Sequence, residues 1–272
     1  MHPQVRLVAS DLDGTLVHSD GSVTARTRAA LVAAEEAGLQ VVFVTGRPLR
    51  WAEEVFEHVG GLGLAVLSNG ALVWDVAAAR THLLRPIEPE TGVEVAHRIR
   101  EAVPDSHFAV ETLEGIALEP GFLERYAVPE GAVRGPIEQI FAAPAVKLLA
   151  RHETLGWEEF WARAAEVVSD LVEITWSSAS TLLEMSAAGV TKATTLALLC
   201  AEQGIAAEEV LALGDMPNDI PMLTWAGTSY AMANAHPAAR AAAQHVAPAN
   251  DDDGVAQVIE SLLDSRLPGW RD

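Results

Sequence analysis

The chain has one cysteine, Cys200, among 272 residues. No intrachain disulfide can form, which excludes a disulfide-stapled secreted scaffold and a cysteine-rich zinc site. Lysine is almost as scarce: of 18 basic residues only Lys147 and Lys192 are lysine. Acidic residues number 38 and the formal charge is -20. Such a chain is repelled by nucleic-acid phosphates and by anionic lipid, so neither nucleic acid nor membrane is an expected partner. A long apolar run is also missing. Nothing approaches the ~18 consecutive apolar residues of a membrane span. The N-terminal MHPQVRLVAS has too short an apolar run for a signal peptide. A soluble, cytoplasmic protein is the expectation, monomeric by default.

Half of the residues are hydrophobic, enough for a sizeable core and against disorder as the main state. At roughly 150 residues per domain the length suits one to two domains.

The first third alternates short apolar runs with helical spacing. Val5 to Ala9, Val41 to Val44 and Leu64 to Leu67 read as buried strands. Between them, Thr24 to Gly38 carries an N-cap and a glycine stop, and Pro48 to Val59 reads as a second helix. The last third repeats this, with a helix from Thr191 to Gln203, a strand from Val210 to Leu213, a strand near Ser229 to Met232, and helices after Pro237 and from Gly254 to Leu263. Strand–helix alternation specifies a parallel sheet with helices on its faces. The middle differs. Helices over Pro89 to Val103 and Trp157 to Ser169 are each followed by two strand-like runs, and Lys147 to Ala150 is a further strand. The expected fold is an α/β, Rossmann-like doubly wound parallel sheet core, residues 1–85 and 188–272, with an inserted α+β cap over 86–187. Trp157 and Trp161, four apart on a helix, read as packing residues. Asp251 to Asp253 reads as a helix start complementing the dipole.

Four strand ends deliver polar groups: Asp11 and Asp13, Thr45 and Arg47, Ser68 and Asn69, and Asp215, Asn218 and Asp219. In open parallel sheets ligands bind outside the carboxyl ends of the strands. Asp11 and Asp13 could hold a hard cation, attack phosphorus, or exchange a proton. An isolated Asp-x-Asp is more simply a turn or a cap, but this one follows a buried strand and precedes Gly14-Thr15. Asp215, Asn218 and Asp219 can face one point; N-capping explains one of them and leaves the others without a role. Lys192 opposes the helix dipole at its position, which points to a positional task such as holding a phosphate or a carboxylate. Thr45 can donate to a phosphate oxygen, and Arg47 is divided evenly between a substrate contact and a surface ion pair.

Together these motifs resemble the haloacid dehalogenase-like (HAD) superfamily, most closely its Cof-type branch with a C2B cap. The matching segments are Asp11-Leu-Asp-Gly-Thr-Leu16, Val44-Thr-Gly-Arg47, Ser68-Asn-Gly-Ala71, Gly189-Val-Thr-Lys192 and Gly214-Asp-Met-Pro-Asn-Asp219. Ala231 to Ala235 and Asn250 to Val255 match more weakly. The resemblance implies a Mg²⁺-dependent phosphatase. Asp11 would be the nucleophile and Asp13 the acid/base. The metal would be held by Asp11, by Asp13 through its backbone carbonyl, by Asp215, and by Asp219 directly or through water. Thr45, Lys192 and Asn218 would bind phosphate, and Arg47, Ser68, Asn69 and Gly70 would lie on the substrate side. The substrate would be a small phosphorylated metabolite, a sugar phosphate first, with pyridoxal phosphate or FMN also in range. Asp at position 13, where cation-pumping relatives carry Thr, implies a phosphatase or mutase.

The alternatives are a phosphomannomutase-like phosphomutase and a non-catalytic metal- or nucleotide-binding α/β module. A sugar-nucleotide transferase with an Asp-x-Asp metal site leaves Lys192 unexplained. Arg125, Tyr126, Lys147, Trp176 and Ser180 are the cap residues considered for substrate contact, with Lys147 most simply a surface lysine at a strand end.

Overall fold

The computed structural model describes residues 4–61, 63–123, 128–175 and 182–265. Arg125, Tyr126, Trp176 and Ser180 lie outside the described residues.

The chain begins with β1 (Leu7–Ser10), α1 (Ala25–Glu36), β2 (Gln40–Val44), α2 (Leu49–His58) and β3 (Leu64–Leu67). β1 and β3 are short apolar runs, and β2 is β-branched or aromatic beyond its first residue, which suits strands covered on both faces. Leu7, Val8, Ala9, Phe43 and Val66 have no solvent exposure. Thr24 accepts from Thr27 N to cap α1, and Gly38 follows it with φ +81°.

A hairpin then extends the sheet, β4 (Leu72–Asp75) and β5 (Arg80–Leu84), both antiparallel to their neighbours. The chain passes through α3 (Pro89–Ala102), β6 (His107–Glu111), β7 (Ile116–Leu118), α4 (Ile137–Ile140), β8 (Lys147–Arg151), α5 (Trp157–Val168), β9 (Val172–Thr175) and β10 (Leu182–Ala187). It returns through α6 (Lys192–Glu202), β11 (Val210–Gly214), α7 (Ile220–Trp225), β12 (Thr228–Met232), α8 (Pro237–Ala242), β13 (His245–Ala247) and α9 (Gly254–Asp264).

Two sheets result. The first has the order β13-β12-β11-β1-β2-β3-β4-β5, parallel from β13 to β3. The second has the order β7-β6-β8-β10-β9 and is antiparallel throughout. Each has its own apolar core. This is the expected Rossmann-like sheet with an α+β cap. β1 lies between β2 and β11, so successive strands depart from it in opposite directions. That switch point leaves a crevice at the carboxyl end of β1, where Asp11 stands.

Three strands escape the sequence reading, and one local expectation is corrected. The hairpin β4–β5 and the edge strand β13 carry no clear alternation and were not legible as strands. On α5 the buried stripe is Phe160, Ala164 and Val168, while Trp161 is exposed. The acidic run stands at the start of α9 as expected, with Asp253 in the N-cap position, but Asp253 makes no side-chain cap bond. Asp251 accepts from the backbone and hydroxyl of Ser19. Asp253 accepts from Thr24 and Thr27 and pairs with His18. The run therefore pins the segment between β1 and α1. Among the described residues no helix is long and apolar enough to cross a membrane.

Candidate active site

The site begins with the termination of β1. Asp11 N donates to Leu213 O at 3.0 Å, fixing the strand end beside β11. Gly14 then turns the chain with φ +73°. A Cβ on Gly14 would stand 2.4 Å from Asp215 Oδ2, so this turn requires glycine for both its backbone and its neighbour. Asn234 Nδ2 donates to Gly14 O at 2.7 Å, and Asn250 Nδ2 donates to Val17 O at 2.9 Å. Both weaker sequence matches thus act as struts under the Asp11 loop.

Lys192 is the first residue of α6, whose cap Thr191 forms a reciprocal pair with Thr194. Its ammonium, 2% exposed, donates to Asp11 Oδ1 and to Asp219 Oδ1, each at 2.6 Å. Burial alone would lower the Lys192 ammonium, but Asp11 and Asp219 outweigh it and hold it above its ordinary value. Asp219 Oδ2 accepts from the backbone N–H groups of Asp215 and Met216. Both oxygens of Asp219 are therefore engaged by protein donors.

Burial raises the Asp11 carboxyl well above the usual range; Lys192 pulls it down, and Asp219 and Asp215 push it up again. Burial and Asp219 push Asp215 up to about 7, against Lys192 and a Thr15 hydroxyl. One ammonium does not neutralise three buried carboxylates. Ligand oxygens of Asp11, Asp215 and Asp219 lie within 4.8 Å of one another. Oxygen donors with uncompensated negative charge fit a hard divalent cation. Asp11 and Asp215 are the better placed ligands, and Asp219 is placed to orient Lys192 and the β11 loop.

Asp13 stands apart from this cluster. Its carboxylate is 58% exposed and takes a bidentate pair from Arg47 Nε and Nη2. Arg47 is thus an ion-pair partner of the second aspartate. Thr45, 1% exposed, lies at the end of β2 and accepts from Arg47 N.

Ser68, Asn69 and Gly70 form a tight turn after β3, with Ser68 and Asn69 at φ 50° and 56°. Such strain in non-glycine residues persists only where surroundings hold it. Here Ser68 N donates to Arg47 O and Asn69 N to Thr45 O. All three residues are buried. Gly70 packs on Thr191 and Thr195 of the α6 start. Asn69 Oδ1 accepts from Asn218 Nδ2 at 3.1 Å, while Asn218 Oδ1 is buried without a partner.

The sequence model of the haloacid dehalogenase-like hydrolases matches residues 8–259. The chain belongs to this family. It is similar to the 5-amino-6-(5-phospho-D-ribitylamino)uracil phosphatase YcsE of Bacillus subtilis, 28% identical over 265 residues and 94% of each chain. It is also similar to the pyridoxal phosphate phosphatase YbhA of Escherichia coli, 28% identical over 95% of this chain and 98% of the relative. A solved haloacid dehalogenase-like hydrolase from B. subtilis superposes with a TM-score of 0.78 at 26% identity, covering 94% of this chain and 99% of that one.

In this hydrolase a cavity of about 750 Å³ runs from Asp11, Thr45 and Asp215 to the second sheet. Lys147, expected at the surface, is 5% exposed. Its Nζ donates to Gly46 O at 2.7 Å and to Glu184 of β10. Arg50 of α2 makes a bidentate pair with buried Glu111 of β6, at 2.7 and 3.0 Å. Asn69 Nδ2 donates to Glu184 Oε2 and to Thr175 Oγ1. The cap is thereby seated on the Thr45-Gly46-Arg47 loop and the Ser68–Gly70 turn. Sequence reasoning passed over Arg50, Glu111 and Glu184, because each partner is distant in the chain. The scarcity of lysine was the one available signal for Lys147.

Proposed function

We propose that this hydrolase is a Mg²⁺-dependent phosphatase that removes phosphate from a small phosphorylated metabolite through an aspartyl phosphate on Asp11. The observation that carries the reading is the buried ammonium of Lys192 shared between Asp11 and Asp219 at the strand switch point. The names of the relatives above, phosphatases of small phosphorylated metabolites, support the same reaction class. We take residues 86–187 as the cap and 1–85 with 188–272 as the core.

An aspartate approaches a phosphate dianion only where charge repulsion is cancelled. Lys192 supplies one positive charge beside Asp11. A Mg²⁺ ion on Asp11, Asp215 and the Asp13 carbonyl, with Asp219 behind them, would supply the rest and polarise a phosphoryl oxygen. Thr45 and Lys192 bind the remaining oxygens, and Asn218 orients them.

An Asp11 oxygen attacks phosphorus, the phosphorus–oxygen bond to the leaving group breaks, and Asp13 gives that oxygen its proton. Asp13 then takes a proton from water. The water oxygen attacks the phosphorus of the aspartyl phosphate, releasing inorganic phosphate and restoring the Asp11 carboxylate. Arg47 occupies both Asp13 oxygens, so Asp13 acts only after that pair opens. An entering phosphate offers Arg47 another anion to hold.

Phosphate release from a panel of sugar phosphates, nucleotides, pyridoxal phosphate and FMN tests the proposal, with Mg²⁺ or EDTA and Asp11→Asn as the blank. Metal-dependent release that vanishes in the variant is the expected result. No release from any compound by folded, Mg²⁺-supplied protein would overturn it.

A further inference from the structure

The two ends of the cavity differ in chemistry. The core end carries the aspartates. At the cap end, strand register decides which side chains line the wall. Ala109 pairs with Leu118 on one side and Leu149 on the other, and Arg151 pairs with Leu182. Alternation along the strands places these residues on one face, while Phe108, Leu148 and Met185 on the other face pack in the cap core.

The cavity face has an apolar cluster of its own, separate from both cores. Leu118 and Phe122 are buried, and Ile116, Leu149 and Leu182 are partly buried against them. All five line the cavity. Partly exposed apolar carbon inside a cavity is surface left for a ligand to cover. Among the described residues, two charged pairs beside this wall are committed to one another, Lys147 with Glu184 and Arg50 with Glu111. Sugar hydroxyls placed here would face carbon and lose hydrogen bonds to water, which costs about 1–3 kcal/mol for each buried group left unmatched. The Arg151 guanidinium, 2% exposed, lies over the Phe122 ring at 5.5 Å. Two flat groups thus meet at the outer end of the apolar wall, about 13 Å along β8 from Lys147.

We propose that the leaving group is a planar aromatic or heteroaromatic ring rather than a polyol, seated on the partly buried Ile116, Leu149 and Leu182, and that Leu149 and Ile116 set this preference. This rests on the phosphatase reading above. The ring covers the apolar wall while its phosphate reaches Asp11. A sugar phosphate of similar size fills the same space without gaining that contact.

The test uses the full chain with Mg²⁺ and esters of primary alcohols, so that leaving-group reactivity is matched. Benzyl phosphate and pyridoxal 5′-phosphate are compared with ribose 5-phosphate and glucose 6-phosphate. Acetyl phosphate, too small to reach the apolar wall, reports the chemistry at Asp11 separately. The expected result is a kcat/KM at least about 10-fold higher for the ring esters, carried mainly by KM. Leu149→Asn and, independently, Ile116→Asn should shrink that ratio several-fold. Equal or faster turnover of the sugar phosphates, with acetyl phosphate hydrolysed, overturns the ring assignment and leaves the phosphatase reading standing. An unchanged ratio in both folded variants overturns the assignment of these residues. No hydrolysis of any compound, acetyl phosphate included, removes both readings. If neither variant folds, the wild-type ratio decides the ring assignment.

Discussion

Asn69 donates through Nδ2 to Oε2 of Glu184 at 2.9 Å, so a strained turn of the core is bonded directly to the cap sheet. The same side chain accepts from Asn218 through Oδ1, while Glu184 also holds Lys147. Candidate phosphate ligand and cap are therefore two hydrogen bonds apart. Asn69→Ala should lower stability by about 1–3 kcal/mol, the cost of unmatched buried polar groups. It should raise KM for the preferred substrate by several-fold. Denaturant melts and steady-state kinetics read the two effects; a variant with wild-type KM would sever this link from function.

Lys192→Met leaves Asp11 and Asp219 buried and facing each other without their cation. Breaking a buried pair in this way costs about 3–5 kcal/mol, and turnover should fall by about 100-fold or more. The carboxylates can escape by taking up a proton, so the loss in Tm should be larger at alkaline than at acid pH. A Tm deficit independent of pH would mean that Lys192 does not balance these charges.

The metal-free cluster predicts a pH dependence of definite sign. The Asp215 carboxyl is pushed up to about 7, against ~3.9 for an unfolded aspartate. Between those values the folded chain holds more protons than the unfolded one. The Asp215 contribution is therefore complete below the unfolded pKa and is lost as pH rises through the folded one. In EDTA, Tm should fall between about pH 4 and 7, and Asp215→Asn should flatten part of that slope. Mg²⁺ takes the place of the proton, so it should raise Tm more at the higher pH. Equal Mg²⁺ shifts at both pH values would contradict the assignment of Asp215 as a ligand.

Gly14→Ala should act on the metal more than on the fold. The left-handed backbone costs a residue with Cβ about 1–2 kcal/mol, a modest change in Tm. The new Cβ, however, would meet Asp215 Oδ2 at 2.4 Å and displace it. The Mg²⁺ concentration for half-maximal activity should rise at least about 10-fold. An unchanged Mg²⁺ requirement in a folded variant would argue against this placement of Asp215.

Much of the core was legible because its signals are local. Thr24 caps and Gly38 stops α1 within one short segment, and β1 to β3 are apolar runs that end in polar groups. Lys192 was conspicuous because it opposes the dipole of its own helix in a chain with almost no lysine. The hairpin β4–β5 was not legible, because β5 (Arg80-Thr-His-Leu-Leu84) is exposed over its first three residues and shows no alternation. Lys147 was misplaced at the surface for a different reason. Its counter-charge Glu184 is 37 residues away, and only the folding of the cap onto Gly46 buries the pair. The Asp13–Arg47 pair, 34 residues apart in sequence, is a tertiary contact of the same kind. Local patterns carry strands, caps and turns; partners across sheets appear only with topology.

The most direct test of the account is to quench a single turnover in acid and locate the phosphoryl group. With labelled substrate and Mg²⁺, a hydroxylamine-sensitive phosphate should be trapped on the peptide containing Asp11, and Asp11→Asn should trap none. Turnover that persists in Asp11→Asn, or a label found on another side chain, would contradict the assignment of Asp11 as the nucleophile.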